Sequence, residues 1–483
     1  MKHFHFLYVI LTIVFAASSV CAAEGKETMS TIDDQKSVAL TIYNVNLALV
    51  KDVREIPIKH GVNHLQFMDV ASSIDPTSVH IRSLEAGPVF TVLEQNFEYD
   101  LLSPAKLLDK YVGREVIIEE KDTDTGKLVS RRAKILSTQG GLVYEVDGKI
   151  TFDFLKEGNL DDRRIIFPDI PVDLRARPTL VWMLDGDRET TQTVEASYLA
   201  EEINWKADYV MVLSEKDDAS DLNAWVTINN GSGATYRNTE LKLVAGDVQR
   251  VTDRGDLPER RLTADAVYAA KAPQFEEEAF FEYHLYTLDR KTTIKDRETK
   301  QLSLVEATGV PVVKKFMYRG SSRYNSGRSA RENPPDHVGV FLEFVNSKEN
   351  KLGIPLPEGK VRVYKKDRKG ALQFIGEDLI DHTPKDERLT IKTGEAFDVV
   401  AERTQTSYEK VSKRVTERAM EISIRNHKEE DIEVTLIEPM TGDWKIITSS
   451  HPYEVASSRE ARFTVRVGAG SETVVSYRVR VKY

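Results

Sequence analysis

VEASYLAEEINWKADYVMVLS (194–214) and AWVTINNGSGATYRNTELKLVAG (224–246) decide how this chain folds. Val194, Ala196 and Tyr198 fall on one face of an extended chain, as do Trp205, Ala207, Tyr209, Met211 and Leu213. Leu222, Ala224, Val226 and Ile228 continue the pattern, and Leu241, Leu243 and Ala245 close it. Side chains of a strand point alternately to its two faces, so a period of two kept over strand after strand predicts antiparallel sheet with one face buried. The Asn229-Asn230-Gly231 corner and the Ala245-Gly246 ending supply the turns. Trp205, Tyr209 and Tyr236 have the residue types of a sugar-stacking platform. Trp205 and Tyr209, however, share their face with Ala207 and Met211, which places them in a core.

The pattern extends outward in both directions. Residues 171–410 read as a central β-sandwich region, broken by excursions at 250–282 and 318–337. The first is rich in alanine and charge, with a short helix expected around Ala264 to Ala272. The second, YRGSSRYNSGRSARENPPDH, is poor in apolar residues and reads as a mobile loop. Residues 411–483 read as a C-terminal immunoglobulin-like sandwich. Met420, Ile422 and Ile424 alternate there, then Ile432, Val434 and Leu436, then Ala461, Phe463, Val465 and Val467, as Val338, Val340, Leu342 and Phe344 do upstream. Three alternating strands run into an asparagine, at Asn229, Asn346 and Asn426, a residue whose side chain bonds the backbone two positions on.

Residues 36–100 read as hairpins, the first turning at Asn44-Val45-Asn46 and the next at His60-Gly61. Residues 101–170 hold a helix over 102–112, with Ser103 as its cap, Pro104 in its first turn and Gly113 as its left-handed stop. Leu107, Leu108 and Tyr111 share its buried side. Five short strands follow, the grammar of a small barrel of the SH3 or Sm-like kind. The predicted class is therefore mainly β: several antiparallel, immunoglobulin-like sandwich units, a small SH3/Sm-like barrel, and one short helix in the N-terminal half.

Lys2, an apolar run from Phe6 to Ala17, and small residues before Ala23 have the layout of a signal peptide over residues 1–22. Cleavage there removes Cys21, the only cysteine, leaving no thiol for catalysis, disulfides or soft-metal binding. Lipoprotein anchoring on Cys21 is disfavoured by Val20 just before it. Removing Lys2, with no acid lost, moves the formal net charge from −10 to −11. An acidic exterior argues against nucleic acid as a partner. The localisation expected is periplasmic or extracellular, with no integral membrane span once the leader is gone. Alternation in the closing strand, at Tyr477, Val479, Val481 and Tyr483, also occurs in outer-membrane barrels. Too few strands of the needed length, and 30% charged residues, favour a soluble fold.

Catalytic motifs do not assemble. His60 and His64 are four apart but sit at a hairpin turn, where that spacing does not converge on a metal, and no metal site or cofactor is predicted. No G-x-S-x-G elbow occurs, and NNGSG at 229–233 has turn composition. Acid pairs at Asp161-Asp162, Glu201-Glu202, Asp217-Asp218 and Glu276 to Glu278 are the raw material of a glycosidase, which needs two carboxyls across a cleft. Neighbours on a strand, however, face opposite ways, and no catalytic residue is named.

The chain resembles exported bacterial proteins carrying the domain of unknown function numbered 4139. The resemblance rests on YNVNLALVKD (43–52), NWKADYVMVL (204–213), VTINNGSG (226–233) with Tyr236 and VAGDV (244–248), YTLDRKTTI (286–294), LPEGKVRVYKKDRKGALQFIGED (356–378), IDHTPKDE (380–387), GEAFDVVAER (394–403), ISIRNHK (422–428) and SYRVRVKY (476–483). It implies a mostly β, exported, multi-domain protein and no activity. The function expected is a non-enzymatic cell-envelope protein that binds or scaffolds an envelope protein or glycan. The alternative is a polysaccharide hydrolase working through paired carboxylates.

Overall fold

A computed structural model describes residues 26–85, 87, 89–121, 127–153, 163–171, 174–246, 248–249, 274–321 and 336–483. The leader at 1–22, the helix expected near Ala264 to Ala272, Asp161-Asp162 and most of the loop at 318–337 lie outside the described residues. Two compact units emerge: residues 1–37, 52–72 and 76–198 form one, and residues 38–51, 73–75 and 199–483 the other. The architecture is mainly β, with several sheets and one α-helix among the described residues. None of the described helices is long and apolar enough to cross a membrane.

In the first unit a four-stranded sheet runs in the order Lys26–Ser30, Gly61–Met68, Thr179–Gly186, Phe90–Glu98. Leu65, Phe67, Leu180, Trp182 and Leu184 are fully buried, with Phe67 and Trp182 meeting edge to face at 5.7 Å. A charged pair lies in this core. Alternation along Leu47–Ile58 carries Asp52 and Arg54 to the inward face along with Ile56 and Ile58. Arg54 answers its burial three ways: an ion pair to Asp52 at 2.8 Å, a hydrogen bond to Ser30 O at 3.2 Å, and stacking 3.6 Å over the Phe67 ring.

Pro104–Lys110 is the helix, as its punctuation requires. Ser103 Oγ accepts from Lys106 N–H at 3.2 Å, and Gly113 takes φ +85° to end it. Leu108 and Tyr111 join Val116, Ile118, Ile135 and Tyr144 in a separate apolar core, with Leu107 packed at its margin. The strands around it run in the order Lys149–Asp153, Leu142–Val146, Leu128–Ser137, Glu115–Lys121, Arg163–Ile166, all antiparallel. Among the described residues no ladder joins the two end strands, so where a small SH3/Sm-like barrel was expected the strands form an open five-stranded sheet.

The second unit holds the decisive stretch from Leu199 onward. Tyr236–Ala245 pairs in parallel with residues 39–43 and antiparallel with Tyr283–Leu288. Phe275–Phe280 then adds a strand where the excursion at 250–282 was expected to be irregular. Its FEEEAF sequence hid it: the acids look like a solvated loop, yet charge is what a strand at a sheet margin carries to stay soluble. Next comes a five-stranded sheet ordered Glu298–Pro311, Ala219–Asn230, Ile203–Leu213, Gly359–Lys366, Leu372–Ile380.

The last sheet has nine strands, ordered Asp443–Ser449, Glu472–Lys482, Val415–Asn426, Arg388–Lys410, Asp336–Val345, Val313–Arg319, Ile432–Pro439, Glu460–Val467, Tyr453–Ser457. It curls on itself. Phe463, second from one end, stacks on Tyr477, second from the other, with ring centroids 5.6 Å apart. Both halves enclose one core that includes Val434, Leu436, Ile422, Val475 and Val479. Its central strands come from before residue 411, so the sandwich expected for 411–483 is larger than that segment. Val338, with the row Val399 and Ala401, supplies the missing apolar face.

Candidate functional site

The aromatic candidates of the decisive stretch are core residues. Trp205 is buried and donates Nε1–H to Val244 O at 3.1 Å, with Tyr286 edge-on at 6.2 Å. Tyr209 is fully buried and donates its hydroxyl to Pro357 O at 2.7 Å. Tyr236 bonds Ser232 Oγ at 3.0 Å. None faces solvent, so no sugar platform exists here.

The asparagine corners are buried staples. Asn346 Nδ2 donates to Ile354 O and Pro384 O at 2.8 and 3.0 Å, while its Oδ1 accepts from Gly353 N–H at 3.0 Å. Asn426 donates to Glu430 O and Gly468 O and accepts from Lys428 N–H, two residues on. The third staple is Asn230 rather than Asn229. Asn230 donates to Ala234 O and Lys295 O and accepts from Ser232 N–H, whereas Asn229 is only half-buried and bonds Asn204 and Thr299 side chains.

The acid pairs among the described residues are engaged or solvated. Asp218 accepts from Ser214 Oγ at 2.8 Å, and Glu277 contacts His284 Nδ1 at 2.8 Å. Asp217 lies between Lys314, at 2.8 Å, and Lys365. Burial pushes its carboxyl pKa up, but the hydrogen bonds and charges of the two lysines outweigh that and hold it below the usual value. An acid held ionised in this way has no proton to give a leaving group. Among the described residues no group of three His, Cys, Asp or Glu is placed to hold a metal ion.

One ionic cluster was not foreseen. Arg403, Glu438 and Tyr477 meet inside the nine-stranded sandwich, all nearly inaccessible to solvent. Arg403 Nε lies 3.1 Å from both Glu438 oxygens and its Nη2 lies 2.9 Å from Oε2, while the Tyr477 hydroxyl donates to Oε2. Burial alone would lower the Arg403 pKa, but the Glu438 charge outweighs it and raises it. Burial, reinforced by Glu438, lifts the Tyr477 phenol well above its ordinary range. Neither group titrates near neutral pH. Gly320 closes the cluster from above: a Cβ there would stand 2.2 Å from Glu438 Oε1. A cluster sealed from solvent offers no place for substrate and is structural.

Accessible features gather at the ends of the nine-stranded sheet. Its two outermost strands, Asp443–Ser449 and Tyr453–Ser457, are consecutive in the chain, yet each pairs only inward, the first with Glu472–Lys482 and the second with Glu460–Val467. The curl brings these two edges side by side without a ladder between them. Trp444 Nε1–H spans the gap to Ser458 O at 2.7 Å. A cleft of about 460 Å³ remains, lined by Trp444, Ile446, Tyr453 and Val455. Tyr453 is 39% exposed, Val455 63% and Ile447 43%. Open edges with exposed apolar side chains are what soluble β proteins normally blunt.

The family model for a domain of unknown function, DUF4139, matches residues 194–483, from the first residue of the decisive stretch to the closing strand. A comparison with curated proteins finds no match. The match takes in both large sheets of the second unit, the asparagine staples and the terminal cleft. It leaves out YNVNLALVKD (43–52), so the resemblance read along the whole chain is broader than the family model itself. With more than half of its length matched, the chain belongs to the family defined by the domain of unknown function DUF4139.

Proposed function

We propose that this is an exported, non-enzymatic β-sandwich protein of the cell envelope that binds another envelope protein as an extended strand. The observation that carries this reading is the pair of open edges around the terminal cleft. An incoming peptide would pair its backbone with Tyr453–Ser457 and set an apolar side chain between Trp444, Tyr453 and Val455. Main-chain pairing supplies affinity, and the cleft selects the side chain. The alternative of a carboxylate-based polysaccharide hydrolase draws no support from this cleft, where Asp443 is the one lining acid, nor from Asp217, which is clamped by lysines.

A photoreactive phenylalanine analogue at Val455 tests the reading, with the same group at the exposed Phe281 as control. Irradiation of envelope preparations is expected to give protease-sensitive adducts at position 455 and none at 281, lost when Tyr453→Ser is added. Protease-resistant, periodate-sensitive adducts would point to a glycan and overturn the strand reading. Equal labelling at the two positions would overturn binding at this edge. Export has its own test. The mature chain is expected to begin at Ala23, read by mass spectrometry of the periplasmic or secreted protein; an intact N-terminus in a cytoplasmic fraction would refute it.

A further inference from the structure

A second cleft, independent of the terminal edges, lies between the five-stranded and nine-stranded sheets. Its volume is about 260 Å³. Leu213, Leu342, Val340 and Ile375 give it an apolar lining, and Lys314, Lys365 and Lys428 bring three ammonium groups to it. Two carboxylates also line it, and both are engaged: Asp217 between Lys314 and Lys365, Glu395 with Lys392 at 3.6 Å. Lys428 has no carboxylate partner among the described residues. Its Nζ lies 5.8 Å from the Phe316 ring centroid, as does Nζ of Lys314, so two cations converge on one aromatic ring.

Lys314 and Lys365 share the single charge of Asp217, whereas Lys428 has no such partner among the described residues. An anion entering beside Lys428 supplies the missing counter-charge. The volume falls just under the range of about 300–1,000 Å³ common for small-molecule pockets, which suits a compact ligand. We infer that this cleft binds a small amphiphilic carboxylate, its head group on Lys428 and Lys314 and its apolar body against Leu342, Val340 and Ile375. Asp217 acts as a positioning residue: by bridging Lys314 on one sheet and Lys365 on the other, it holds the walls apart at a fixed width.

Titration calorimetry with octanoate, on the full mature chain, tests the assignment. Saturable binding with Kd below about 1 mM is expected, with octanol, the neutral isostere, bound at least about tenfold more weakly. Lys428→Gln is expected to cost about tenfold in octanoate affinity, and Lys428→Arg to restore most of it. Both variants should keep the wild-type melting temperature, since Lys428 is half-buried at a turn. Ile375→Asp, at the exposed rim, is expected to abolish octanoate binding while leaving the lysines in place. Equal binding of octanoate and octanol, undiminished binding to Lys428→Gln, or binding of inorganic phosphate in preference to octanoate would each overturn the assignment.

Discussion

Glu438→Gln is expected to destabilise the protein by about 3–5 kcal/mol, read as a lower denaturation midpoint at unchanged slope. The size follows from what remains behind. Arg403 stays charged, because burial is not enough to deprotonate a guanidinium, and the carboxylate that paired its Nε and Nη2 is gone. Glutamine keeps one acceptor oxygen where there were two, so Tyr477 and Arg403 compete for it and the new amide N–H2 faces donors. An uncompensated guanidinium inside an apolar sandwich costs far more than the pair contributes when whole. Replacing the cluster together, Arg403→Met with Glu438→Leu and Tyr477→Phe, is therefore expected to recover most of the loss. A triple variant as unstable as Glu438→Gln would mean the cluster is needed for more than charge balance. Gly320→Ala should also be poorly tolerated, since its Cβ has no room beside Glu438 Oε1.

How much of this was legible in the sequence differs by level. The inward rows at 194–198, 205–213, 222–228 and 241–245 are buried as the period of two required, because burial of one face is a local property that alternation records directly. The same rule contained a signal that composition concealed. Ile432, Val434 and Leu436 are followed at the next inward position by Glu438, and Val399 and Ala401 by Arg403. A charge in an inward register, on two strands 35 residues apart along the chain, is the mark of a buried pair. Reading each strand as ended at its last apolar residue discarded it. Asp52 and Arg54, in a row with Ile56 and Ile58, carry the same signal on a single strand.

The clefts were not legible. They depend on which strands become neighbours, and the order of the nine-stranded sheet is fixed by long-range pairing that no local period encodes. Trp444 and Tyr453 belong to short strands whose chain neighbours look like ordinary hairpin arms. Only the curl, reported by Phe463 stacking on Tyr477, sets their edges side by side. The lysine cleft likewise needs Asp217, Lys314, Lys365 and Lys428, spread over some 210 residues, to meet at the margin between two sheets.

Asn346→Ala is expected to cost about 2–4 kcal/mol, because it strands Ile354 O, Pro384 O and Gly353 N–H in the interior, each left without the partner it had. The corner at Asn229-Asn230 provides the comparison. A strand's faces alternate at every residue, so the one-position difference between Asn229 and Asn230 moves a side chain from the surface into the core. Asn229→Ala should therefore cost no more than about 0.5 kcal/mol, and Asn230→Ala several times that. Asn346→Asp sharpens the test through pH. Its carboxylate would face two carbonyl oxygens, so the folded-state pKa lies above the unfolded value of about 3.9. The charge penalty is then full above the folded pKa and is relieved as pH falls toward 3.9, where a protonated acid donates one hydrogen bond. A stability difference between Asn346→Asp and wild type that narrows on acidification is expected; one that stays constant with pH would mean that Asn346 is not held against those carbonyls.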